Sequence, residues 1–134
     1  MGAAMAPAAY HTIKTHFANT GTSVAEFDCI VTGDLGRVGS AILCEMFEKD
    51  KIDLAAKHKD CGVMLYAPEQ DTHAGGSGCG CSASVLCGYL LGEVAKHKLG
   101  SVLFVATGAL MSPTMTQQGE SIPGIAHAVH ISAV

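Results

Sequence analysis

The chain has 134 residues and a formal net charge of −4, with 15% charged and 49% hydrophobic residues, 16 glycines and no tryptophan. Its eight lysines and arginines are scattered, which excludes the electrostatic footprint of a nucleic-acid or anionic-membrane binder. No apolar run reaches the roughly eighteen residues that span a bilayer, and no basic region precedes the apolar start, so the chain reads as one soluble, unexported domain over residues 1–134. Six cysteines without a secretion signal read as free thiols in a reducing compartment. Cys29, Cys44, Cys61 and Cys87 act there as small hydrophobes.

The first element is a helix. Pro7 suits its first turn, Ala6, Tyr10, Ile13 and Phe17 recur at helical spacing, and Asn19-Thr20-Gly21 ends it. Ser23 and Glu26 have capping-box spacing over one short turn. Cys29 to Thr32 is an apolar, β-branched run suited to a strand buried on both faces, and a turn at Gly33-Asp34-Leu35-Gly36 leads to a helix over 37–49. Val63 to Tyr66, stopped by Pro68, reads as a second buried strand.

Gly75-Gly76-Ser77-Gly78 then opens a long helical segment that runs to Lys98, with Lys96, His97, Lys98 and Gly100 as its C-terminal signal. Residues 101–106 form a third buried strand, 108–120 a loop, and 125–131 a fourth strand. Alternating helices and strands predict an α/β layered domain with parallel pairs. The last two strands lack a helical crossover and should pair antiparallel.

Within the long helix Gly80, Ser84, Gly88 and Gly92 fall four apart, a stripe of small residues on one face that asks for close approach of another backbone. Each interior glycine costs about 1 kcal/mol relative to alanine, so an isolated surface helix has no reason to carry them. At the start of that helix, Gly75, Gly76, Ser77 and Gly78 can aim backbone N–H groups at one point and attract a carboxylate or phosphate; a plain strand-to-helix turn is the alternative. The pattern is neither a P-loop nor a dinucleotide fingerprint.

Cys79 and Cys81 lie where a helix dipole lowers a thiol's pKa, but spacing places neither His73 nor His127 beside them as a base. The C-x-C spacing without a second pair argues against zinc. His127 and His130 fall on opposite faces of the last strand, one a hydrogen-bonded core histidine and the other exposed. Glu69-Gln70-Asp71 reads as a solvated turn, as does the Gln117 to Glu120 stretch.

Five stretches taken in order carry a resemblance: Ile30-Val31-Thr32-Gly33-Asp34-Leu35-Gly36, Tyr66-Ala67-Pro68-Glu69-Gln70-Asp71, Ala74 to Ala83, Ala106-Thr107-Gly108-Ala109-Leu110, and Gln117-Gln118-Gly119-Glu120-Ser121-Ile122-Pro123. Together they resemble the stage V sporulation protein AD family, across essentially the whole chain but only the second half of a family member. The resemblance implies a thiolase-like layered half-domain, a mixed sheet with a buried central helix over 79–98. That helix would pack on its counterpart in the first half of the protein or in a second copy.

Acyl-condensing relatives of that fold carry a histidine where Asp34 stands here and a histidine or asparagine in the loop that here is Gly75 to Gly78, and their nucleophilic cysteine belongs to the other half. The resemblance therefore implies a non-catalytic protein, with a thiolase or ketoacyl-synthase type acyltransferase and a structural scaffold for a membrane complex as alternatives. It implies binding of dipicolinic acid, with calcium accompanying the ligand and no resident cofactor, beside membrane proteins of the same operon. The protein would then work in the forespore, peripheral to the spore inner membrane, helping dipicolinate enter the developing spore. The ligand residues it implies are Asp34, Gly75, Gly76, Ser77, Gly78 and Cys79, with the backbone amides receiving a carboxylate. Asp34 would face a bare dianion unfavourably unless calcium bridges them or the acid is protonated.

Overall fold

The computed structural model describes residues 1–134 as a four-stranded mixed sheet with helices on both faces. In chain order, α1 spans Gly2–Thr20, β1 Cys29–Thr32, α2 Gly36–Lys49, β2 His58–Asp60 and α3 Cys61–Met64. A continuous helix over 81–95 follows, made of α4 (Cys81–Val85), a π-helical turn (Leu86–Leu90) and α5 (Leu91–Ala95). Then come β3 (Ser101–Ala109), α6 (Pro113–Gln117) and β4 (Gly124–Ser132). The sheet order is β2-β1-β3-β4; β1 pairs parallel with β2 and β3, and β4 runs antiparallel to β3, as the missing crossover predicts.

All four residues of β1 are buried, because the sheet is covered on both sides there. Ile30, Leu103 and Val105 face α1 and α2 together with Met5, Ile13, Leu43 and Phe47. Cys29, Val31, Val102 and Phe104 face the other way, against the 81–95 helix. Period-two alternation in β1 and β3 thus feeds two separate cores.

Several boundaries differ from those expected. The helix α1 starts at Gly2, ahead of Pro7, because Met5, Ala6, Ala9 and Ile13 are all buried, and this packing outweighs the hydrogen bond that proline removes. The Ser23–Glu26 box forms as predicted: Glu26 Oε1 accepts from the Ser23 N–H at 3.1 Å. The run Val63 to Tyr66 is not a strand. Strand β2 is the polar His58–Asp60 just before it, and the Asp60 side chain accepts from the Val63 N–H, capping a helical turn at Cys61–Met64. A short apolar run does not distinguish the two on its own.

The 81–95 helix stops at Ala95, three residues short of Lys98, because His97 adopts φ 56° and ends it before Gly100 is reached. It buries Cys81, Val85, Leu90 and Val94, at steps of four, five and four. The step of five is the π turn, whose extra residue keeps the apolar face on the sheet. Of the small-residue stripe, Gly80, Ser84 and Gly88 are exposed and Gly92 is half-buried. The helix is buried on its sheet side only.

All six cysteines are free, but Cys87 is exposed and packs nowhere. Neither His127 nor His130 is a core residue. The His130 ring sits edge-on to Phe27 at 5.2 Å and its Nε2 lies 2.9 Å from Ser101 Oγ, while remaining exposed. Within the expected 108–120 loop, β3 runs on to Ala109, and Ser112 caps α6 by accepting from the Met115 N–H at 3.4 Å, with Pro113 in its first turn.

Candidate functional site

Three parallel strands deliver their carboxyl ends to one edge of the sheet, and the chain leaves β1 toward one face and β2 toward the other. That divergence opens the crevice where ligands of open α/β sheets commonly sit. The 74–80 loop lies across this edge, tied down from three directions. Ala74 accepts from the Arg37 N–H at 2.7 Å, Gly76 donates to the Gly62 carbonyl at 2.7 Å, and Gly78 donates to Asp34 Oδ2 at 3.1 Å. Backbone approaches backbone so closely that a Cβ on Gly62 would strike the Gly76 carbonyl oxygen, and Gly75 and Gly78 adopt φ of 114° and 116°, which only glycine tolerates easily.

Two buried carboxylates organise this edge. Asp60, 3% exposed, accepts from the Thr32 hydroxyl at 2.6 Å, the Leu35 and Gly36 N–H groups at 2.9 Å each, and Val63 N–H at 3.2 Å. Asp34, 9% exposed, accepts from the Thr107 hydroxyl at 3.1 Å, the Ser77 hydroxyl at 2.9 Å and Gly78 N–H. Thr107 Oγ1 in turn accepts from the Asp34 N–H at 3.0 Å. Asp34 therefore stands behind the loop with its oxygens occupied by protein donors.

The loop's own amides divide into two groups. Those of Gly75, Gly76 and Gly78 are bonded within the chain, to Thr72, Gly62 and Asp34. Those of Ser77, Cys79 and Gly80 have no acceptor in the chain, and their residues are exposed. The predicted site residues Asp34 and Gly75 to Cys79 do come together, but the amides free to meet an anion are those of Ser77 and Cys79, joined by Gly80. Next to Thr107, the mouth of the β3–β4 hairpin forms an apolar hollow lined by Gly108, Ala109, Leu110, Pro123, Gly124 and Ile125.

The buried thiols nearby, Cys61 and Cys81, are not activated. Burial, reinforced by the adjacent Asp60 and Asp34 charges, pushes the Cys61 thiol up to about 12, and burial raises Cys81 as well. Neither Cys79 nor Cys81 is hydrogen-bonded to a histidine. The Cys–His contact in the chain lies elsewhere, Cys44 Sγ to His58 Nδ1 at 3.8 Å. Burial there holds the thiol up and the imidazole down, which makes a neutral pair. No group of three or more His, Cys, Asp or Glu side chains is arranged to hold a metal ion. No helix is long and apolar enough to cross a membrane.

The family model for stage V sporulation protein AD matches residues 1–132. The chain belongs to the stage V sporulation protein AD family. It is 50% identical over 129 residues to stage V sporulation protein AD of Bacillus subtilis (strain 168), a match that covers 96% of this chain and 38% of that relative. The chain thus spans well under half the length of the curated relative it matches. Family membership accounts for the ordered motifs, while Asp60 and Gly62, central to the geometry, lie outside them. Asp60 does have a local signal in the sequence, an aspartate three residues before Val63 at N-cap spacing, and Thr107 sits inside the Ala106 to Leu110 motif without any spacing that marks it.

Proposed function

We propose that this chain is the ligand-carrying half of a non-catalytic sporulation protein that binds dipicolinic acid and aids its uptake into the developing spore. The observation that carries the reading is the set of unpartnered amides of Ser77, Cys79 and Gly80, held on a braced loop at the carboxyl edge of the parallel strands. A planar aromatic dianion needs N–H donors for its carboxylates and apolar walls for its ring. The hairpin mouth at Leu110 and Ile125, linked to the loop through Thr107 and Asp34, supplies such walls.

Calcium enters this reading with the ligand, as part of the cargo, since the Asp34 oxygens already accept three bonds. The partners proposed are the first half of a longer, thiolase-like protein, or a second copy, and membrane proteins of the same operon. The place of action is the forespore side of the spore inner membrane. The exposed small-residue face at Gly80, Ser84 and Gly88 favours a second reading, in which this half serves as a scaffold that docks another backbone. Acyl transfer is the weaker alternative, because Cys79 has no bonded base and the buried thiols are raised.

Titration of the chain with dipicolinate, with and without calcium, followed by thermal melting, tests the proposal. A ligand that binds the native state alone raises the midpoint in a saturable way. A folded sample whose midpoint does not move at any ligand concentration sinks the claim that this half carries the site and leaves the scaffold reading.

A further inference from the structure

We infer that Asp60 and Thr107 are positioning residues for the loop, Thr107 acting through the Asp34 carboxylate and Asp60 through the backbone next to Asp34 and Gly62; this deepens the binding reading and rests on it for its ligand readout. The loop reaches the rest of the protein through segments that Asp60 controls. Its carboxylate holds the Leu35 and Gly36 amides, which follow Asp34 in the chain, and the Val63 amide, next to Gly62. Gly62 then receives the Gly76 N–H, and Arg37, directly after Gly36, donates to Ala74.

Thr107 completes the brace from β3. Its hydroxyl oxygen accepts from the Asp34 N–H and its proton goes to Asp34 Oδ1, which fixes the carboxylate plane so that Oδ2 meets the Ser77 hydroxyl and the Gly78 N–H. With that plane fixed, the neighbouring amides of Ser77, Cys79 and Gly80 keep one orientation. A dianion gains nothing from touching two buried carboxylates directly. Their contribution is indirect: they hold in place the loop that carries the unpartnered amides.

The test uses Thr107→Val, which keeps the shape and removes the hydroxyl, and Thr107→Ser, which restores the hydroxyl. Amide hydrogen exchange and dipicolinate titration are measured on both and on the wild type. In Thr107→Val, exchange at Gly78 should rise roughly tenfold, the size of one lost hydrogen bond, with Leu103 to Val105 unchanged, and ligand affinity should fall about as much. Thr107→Ser should return both to wild-type values. Asp60→Asn should speed exchange at Leu35 and Gly36 as well as at Gly78. An unchanged Gly78 amide in Thr107→Val, or an equal rise throughout β3, overturns the positioning role. Absence of ligand protection at Ser77, Cys79 and Gly80 in the wild type overturns the binding reading instead, so the two failures are distinguishable.

Discussion

On the α1–α2 side of the sheet Phe27, Phe47, Met5, Ile13 and Leu43 are fully buried, whereas on the opposite side the 81–95 helix buries four modest residues and leaves Tyr89 46% exposed. Beyond that helix the same side of β4 carries Ile125 and Val129, 55% and 56% exposed. One face is closed by large side chains meeting within the chain. The other is half covered, by a helix whose outward stripe is glycine and serine. The first face is closed by larger side chains, and the second keeps glycine, serine and partly exposed apolar residues at its surface, which is where the scaffold reading would place a partner.

The comparison predicts unequal responses to substitution. Phe47→Ala removes a ring that is 0% exposed and stacks edge-on with Tyr10 at 5.0 Å, and should cost about 4 kcal/mol in denaturant unfolding. Val85→Ala on the half-covered face, 6% exposed, should cost about 2 kcal/mol or less by the same measurement. Equal losses at the two positions would show that the faces are equally closed.

Two smaller effects sharpen the contrast. Gly88→Ala should stabilise this chain by up to about 1 kcal/mol, since nothing lies within 4 Å of an added Cβ there. If this face docks the first half of a longer protein, as the scaffold reading proposes, the same substitution should weaken that association, read by size-exclusion chromatography. Stabilisation without loss of association would argue that Gly88 is not at a docking surface.

On the closed side, burial lowers the His58 pKa, so the folded state prefers the neutral ring. Its contribution is therefore fully present above the ordinary histidine value of about 6.5 and is lost as pH falls through the lower folded value. Melting midpoints between pH 7.5 and 5 should decline with acid in the wild type and flatten in His58→Gln. Matching slopes for the two proteins would remove His58 from the account.

Much of the architecture was legible in the chain. The buried run Cys29 to Thr32, the α2 pattern and the antiparallel final pair follow from local periodicity and the absence of a crossover, and all three stand in the structure. The capping box at Ser23 is equally local. The second strand was misplaced because its three residues are polar, and their strand state comes only from pairing with β1. The site was half legible. Glycines at 75, 76 and 78 marked the loop, but which amides it leaves free depends on Gly62 and Asp34, which come from elsewhere in the chain, as well as on the local turn to Thr72.

The sequence by itself determined the fold class, the family and the place of the glycine loop, because periodicity, turn chemistry and ordered motifs are properties of neighbouring residues. Tertiary structure alone decided that Asp34 braces the loop from behind and that Asp60 and Thr107 hold it there. Each of these depends on groups distant in the chain meeting at hydrogen-bonding or van der Waals distance, such as Asp34 and Thr107 across 73 positions, and no local pattern encodes that meeting.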